Sequence, residues 1–246
     1  MLHLIIGCGT VGNATGAWLE ANSEEVFYTD IDKSKLNKLE EKGKKITKSY
    51  TEKQFDLYWI CTPEWEVEKV LKKIPITNKV IVRSSTIPGT LDRIDYKELV
   101  HVPEFLKQRT ALSDTFNPDR IIIGGKGNFT HFLVYDFLKE TYPNKPIFAT
   151  TLIQSEMIKL VSNAWLSTQI SFWNEIYKIC NKHNINPQYI SDLVTLDKRI
   201  SKYGSNMINQ PFGGFCLPKD LNNLISISDK SILLKAVKKV NEEMIE

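Results

Sequence analysis

The cysteines of this sequence show no pairing pattern. Cys8, Cys61, Cys180 and Cys216 stand far apart and form no CxxC. That spacing argues against a disulfide framework and a metal site, and it fits a reducing, cytoplasmic setting. Also missing is any apolar run near the roughly 20 residues of a membrane span. The apolar start, Met1-Leu2-His3-Leu4-Ile5-Ile6, has no basic flank and runs straight into glycines, so it reads as a strand and not as a signal peptide. Charge of one sign is scarce too. The chain has 32 basic and 29 acidic residues, a net charge of +3. Its densest basic stretch, residues 42–48, contains no Arg or aromatic residue, so it reads as a solvated loop and not as a nucleic-acid patch. There is no internal repeat and no low-complexity segment.

What is present is an alternation. Short β-rich runs at 2–6, 25–29, 56–61, 79–83, 120–123 and 146–149 are separated by helical spacing at 11–21, 33–41, 64–72 and 129–140. Several of the runs are wholly apolar, as in a parallel sheet covered on both faces. The expected fold is α/β, a Rossmann-type doubly wound parallel sheet. After about Thr150 the strands stop. Residues 152–183 form one helical pattern without Pro or Gly, and Pro187 and Pro218 open further helices around an irregular stretch at 202–215. A last amphipathic helix is expected at 231–246. The expected domains are therefore 1–150, a nucleotide-binding domain, and 151–246, an all-helical one. A helix as long as 152–183 usually packs along a partner, so a homodimer is expected.

The first strand runs into Gly7-Cys8-Gly9-Thr10-Val11-Gly12, a GxGxxG opening a helix. Such a loop lets backbone approach a pyrophosphate lying on the helix N-terminus. The next strand ends at Asp30, whose carboxylate suits ribose hydroxyls and repels a 2′-phosphate. NAD is the expected cofactor, with Lys33 and Lys35 as the residues that weaken the case against a phosphate.

A second group is Phe212-Gly213-Gly214-Phe215-Cys216-Leu217-Pro218-Lys219-Asp220. With Pro218 at the first helical position, Cys216 stands just ahead of a helix N-terminus, where the dipole and Lys219 favour the thiolate. The glycines leave room for a substrate, and Asp220 stands one turn on, placed to orient the thiol or activate water. A buried Cys at a glycine bend is the competing reading. Lys159 and Asn163 are four residues apart on the long helix and share a face. They suit an oxyanion clamp, and equally the polar stripe of an amphipathic helix.

Together these groups resemble the UDP-glucose/GDP-mannose 6-dehydrogenase family of nucleotide-sugar dehydrogenases. The matching segments stand in family order. They are the glycine loop, Asp30-Ile31-Asp32, Ser85-Thr86-Ile87-Pro88-Gly89-Thr90, Pro103-Glu104-Phe105-Leu106 and Asn117-Pro118-Asp119-Arg120-Ile121. Glu156-Met157-Ile158-Lys159 follows, continuing through Asn163 to Asn174-Glu175, and then Gly213 to Asp220. The resemblance implies oxidation of a sugar alcohol to a carboxylate with two NAD and a covalent thioester. It makes Cys216 the nucleophile and gives oxyanion stabilisation to Lys159 and Asn163. Asp220 and Thr86 would hold a water, with Glu104 nearby. The expected cofactor-binding set is Gly7, Gly9, Thr10, Val11, Gly12, Asp30, Lys35, Thr62 and Thr86.

Two departures accompany the resemblance. Gln108 stands where the family commonly has a second Glu, and Gln cannot ionise. The family also continues into a third domain that binds the nucleotide, and the resemblance implies that this sequence stops short of it. Arg199 resembles a family Arg that reaches a substrate across a dimer, though a surface Arg is the plainer reading. Two other functions compete: a two-electron dehydrogenase of the 6-phosphogluconate and 3-hydroxyacid type, and an inactive NAD-binding partner of a longer dehydrogenase.

Overall fold

The computed structural model describes residues 1–245 and divides into two compact units, Met1–Lys159 and Leu160–Glu246. The division falls within the long helix. The first unit is built on β1 (Leu2–Ile6), β2 (Glu25–Thr29), β3 (Lys45–Ile46), β4 (Leu57–Ile60), β5 (Val80–Val82), β6 (Leu99–His101), β7 (Ile121–Gly125) and β8 (Ile147–Thr150). They form one sheet in the order β3-β2-β1-β4-β5-β6-β7-β8. Connecting them are α1 (Thr10–Ala21), α2 (Lys33–Glu40), α3 (Glu64–Leu71), α4 (Thr90–Arg93), α5 (Ala111–Phe116) and α6 (Phe129–Thr141).

Both faces of the sheet are buried, as the apolar strands require. On β1, Leu4 and Ile6 enter one core while Ile5 enters the other. On β4, Tyr58 and Ile60 alternate with Leu57 and Trp59 in the same way. Full burial of such side chains contributes roughly 1.5–3 kcal/mol each, so no strand of this pattern is stable with a face in water. Trp18 of α1 stacks on Tyr142 at 5.1 Å and meets Trp59 edge-on at 6.1 Å, fixing α1 against the sheet.

The doubly wound sheet expected from the sequence is there, with two corrections. First, β6 and β7 pair antiparallel, Val100 opposite Gly125 and His101 opposite Gly124. The chain leaving β6 turns into α5 and packs beside α1, so β7 starts from the end where β6 stops. Second, the stretch expected to be a solvated loop contains β3, an edge strand whose Ile46 pairs with Tyr28 and packs on the core. Its lysines are what an exposed edge strand carries.

The second unit is helical. Helix α7 (Leu152–Lys182) runs into it, followed by α8 (Pro187–Val194), α9 (Cys216–Ser226) and α10 (Ile232–Glu242). Asn186 caps α8 through the Gln188 and Tyr189 amides, with Pro187 in the first turn. The core of this unit joins Ala164 and Ile170 of α7 to Phe212, Leu221 and Val237. Among the described residues no helix is long and apolar enough to cross a membrane.

Candidate active site

The glycine loop sits where the sequence places it, between β1 and α1. Gly7 has φ +96°, and a Cβ on Gly12 would stand 1.9 Å from the Gly7 carbonyl oxygen, so neither position accepts a side chain. Gly9 differs: it has ordinary extended φ and open space where a Cβ would stand. It caps α1 without a side-chain hydrogen bond, which leaves the first-turn N–H groups facing outward. Asp30 accepts the Cys8 N–H at 2.7 Å and the Asp32 N–H at 2.8 Å, with Lys35 Nζ 3.5 Å away. Thr62, after β4 and packed against Gly7, has a buried hydroxyl oxygen with no hydrogen-bond partner among the described residues. An open helix N-terminus, an anchored acid and an orphaned hydroxyl fit a dinucleotide. Cys8 and Cys61 are structural here: burial pushes both thiols up to about 12.

The first unit also joins Thr86, Glu104 and Lys159 to neighbours that decide what each can do. Lys159 on α7 is 2% exposed. Its ammonium donates to the Glu104 carbonyl at 2.6 Å and to Glu104 Oε2 at 3.0 Å. It also faces the Phe105 ring at 5.4 Å, and the same ring carries the Arg120 guanidinium at 4.3 Å. Two of the three ammonium protons are thus committed to one residue. Thr86 donates its hydroxyl to Glu156 at 2.8 Å. His101, wholly buried on β6, has its pKa pushed down to about 3 by desolvation. Its neutral ring donates from Nε2 to the Ser84 carbonyl at 3.2 Å, and its Nδ1 lies 2.7 Å from Ser155 Oγ.

The second unit gathers Asn163, Asp220 and Cys216. Asn163 Nδ2 donates to Asp220 Oδ2 at 2.6 Å, and Lys219 Nζ lies 2.6 Å from Asp220 Oδ1. Asp220 is wholly buried, while Cys216 alone among the four cysteines is exposed. Helix α9 begins at Cys216 and not at Pro218. Pro218 is therefore its third residue, which the helix tolerates because first-turn amides have no intrahelical acceptor. Gly214 holds φ +72°, and open space surrounds both Gly213 and Gly214.

Three residues to which the sequence reading gave no role position the site. Glu156 receives Thr86 and two loop amides. Asn174 donates to the Gln210 carbonyl at 2.7 Å, and Asn241 brackets Phe212 by accepting its N–H at 2.7 Å and donating to its carbonyl at 3.0 Å. The two Asn side chains thus fix the segment that leads into Gly213 and Cys216. Glu156 and Asn174 stand in the segments that resemble the family, and for Asn241 the signal was an Asn on otherwise apolar helical spacing. Gln108 opens an exposed 3-10 turn, and Arg199 is exposed and paired with Asp197 at 2.6 Å.

Comparison with known proteins identifies the family. Residues 47–144 match the UDP-glucose/GDP-mannose dehydrogenase family, NAD binding domain, and residues 153–243 match the central domain of the same family. The chain is 31% identical to UDP-glucose 6-dehydrogenase of Campylobacter jejuni, over 98% of this chain and 72% of that protein. It is 32% identical to UDP-glucose 6-dehydrogenase YwqF of Bacillus subtilis, over 96% of this chain and 65% of that one. It spans 37% of UDP-glucose 6-dehydrogenase 4 of Arabidopsis thaliana. The fold is that of a UDP-glucose dehydrogenase from Pyrobaculum islandicum, with TM-score 0.85 and 24% identity over 98% of this chain and 68% of the other. The chain belongs to the UDP-glucose/GDP-mannose dehydrogenase family, and the cofactor of its first domain is NAD.

Proposed function

We propose that this protein oxidises the primary alcohol of a nucleotide sugar to a carboxylate, with Cys216 carrying the carbon between two oxidations. One observation carries the reading: the single exposed cysteine opens α9, one turn before a buried acid that holds Asn163. Bound NAD, held by the glycine loop, Asp30 and Thr62, would accept the hydride in each oxidation.

The first oxidation removes a hydride from carbon and a proton from oxygen, giving an aldehyde. The Cys216 sulfur adds to that carbon, and the carbonyl oxygen takes a proton, giving a thiohemiacetal. Loss of a second hydride and of the hydroxyl proton makes a thioester. Water then breaks the C–S bond, and carboxylate and thiol result. The third ammonium proton of Lys159 and the second amide proton of Asn163 stabilise the oxyanions that form. Thr86 and Asp220 hold the water, and Glu104 keeps Lys159 in place. An exposed thiol nucleophile suits a reducing compartment such as the cytoplasm.

The working form is a homodimer. Val161, Trp165, Phe172 and Ile179 repeat at four- and seven-residue steps along α7 and are all exposed. This makes one apolar stripe, which a second copy of the same helix covers.

The test is a screen of UDP- and GDP-sugars followed by NADH formation, with Cys216→Ser in parallel. Wild type is expected to release a carboxylate and the variant none. Acid formation undiminished in the variant would overturn the reading.

A further inference from the structure

Glu156 is 0% exposed and lies one helical turn before Lys159 on α7, yet it does not pair with that cation. Its carboxylate turns to the 86–91 loop. Oε1 accepts the Thr86 hydroxyl at 2.8 Å and the Leu91 N–H at 3.1 Å, and Oε2 accepts the Gly89 N–H at 2.6 Å. We propose that Glu156 is a positioning residue that fixes the direction of the Thr86 hydroxyl, making Thr86 an acceptor only toward whatever it holds.

The argument is a proton count. Backbone amides only donate, and an ionised carboxylate only accepts. Two amides and one hydroxyl converge on Glu156; burial pushes its pKa up, while the hydrogen bonds from Thr86, Leu91 and Gly89 each favour the ionised, acceptor-only form. Thr86 has one proton and two lone pairs, and its proton is spent on Glu156. Only lone pairs remain for a ligand.

A partner at Thr86 must therefore present an O–H or N–H: a water or an amide qualifies, and an alkoxide does not. Resting on the reaction proposed above, this divides the labour. Oxyanion stabilisation falls to Lys159 and Asn163, whereas Thr86 orients the water that cleaves the thioester by accepting one of its protons. Two buried charges of opposite sign can then stand a turn apart on α7, because each already has its own partner: Glu104 for Lys159, the loop donors for Glu156.

The test is a double-mutant cycle with Glu156→Gln and Thr86→Val, read as kcat, KM and melting temperature. A spectroscopic readout independent of turnover accompanies it. A hydroxyl proton held by a buried carboxylate exchanges slowly with water, so threonine-labelled protein is expected to show a Thr86 hydroxyl resonance that Glu156→Gln abolishes. Glu156→Gln is expected to lower kcat roughly tenfold with KM little changed, and to add nothing in the Thr86→Val background. Thr86→Ser, which keeps the hydroxyl, is expected to retain the wild-type rate within a few-fold. An equal loss from Glu156→Gln in both backgrounds, or a hydroxyl resonance that survives it, would overturn the proposal. Should wild type oxidise no nucleotide sugar, the proposed reaction fails, and the resonance alone decides the hydroxyl direction.

Discussion

Lys159 is held twice by one residue: its ammonium donates to the Glu104 carbonyl at 2.6 Å and pairs with the Glu104 carboxylate at 3.0 Å, with both side chains buried. Removing one member of such a pair strands the other charge out of water. Lys159→Met is expected to destabilise the fold by roughly 3–5 kcal/mol. Lys159→Met with Glu104→Gln is expected to cost less than the sum of the two single changes. Urea unfolding measures both, and strictly additive losses would contradict the coupling.

The glycine loop separates fold from cofactor at two positions. Gly12→Ala drives a Cβ to 1.9 Å from the Gly7 carbonyl oxygen and is expected to cost about 3 kcal/mol or more. Gly9→Ala meets nothing within 4 Å and keeps an ordinary backbone. Its stability is expected to stay within about 0.5 kcal/mol of wild type, while NAD binding by calorimetry weakens roughly tenfold or more, a loss of about 1.4 kcal/mol. Unchanged affinity in Gly9→Ala would count against pyrophosphate binding at this loop.

The sheet was largely legible because its signal is local. Apolar runs such as Leu57-Tyr58-Trp59-Ile60, short and set between turn signals, fit a strand buried on both faces. The strand at Lys45–Ile46 was hidden because two residues amid lysines carry no periodicity, and the antiparallel turn at β7 depends on where α5 docks. Residue type and spacing made Cys216, Lys159 and Asn163 candidates, each beside a purely structural reading, and the resemblance supplied their roles. The roles of Glu156, Asn174 and Asn241 were not legible, since a buried polar side chain on a helix declares its role only through the distant backbone that it reaches.

Burial pushes the His101 imidazole down to about 3 from an ordinary 6.5. With the folded value below the unfolded one, the unfolded chain binds the extra proton between those limits. Stability is therefore lost as pH falls through that window, beginning near 6.5. Between pH 7 and pH 5 the loss from this group is roughly 2 kcal/mol. His101→Gln is expected to remove that part of the decline, read from unfolding curves at the two pH values. The same decline in both proteins would assign it to other groups.

The two Asn side chains that fix the segment ahead of Cys216 give a separate prediction. Asn241→Ala leaves the Phe212 N–H and carbonyl, both buried, without partners. It is expected to cost about 1–3 kcal/mol and to slow alkylation of Cys216 less than it slows turnover. Loss of alkylation in step with turnover would mean that the thiol itself has become inaccessible.

The number of NADH formed per molecule of substrate consumed tests the role of Cys216 most directly. A nucleotide sugar captured at the exposed thiol after the first oxidation and held there through the second is expected to give two NADH and one carboxylic acid, with no aldehyde released. One NADH per substrate, with an aldehyde or ketone as the product, would contradict the thioester route.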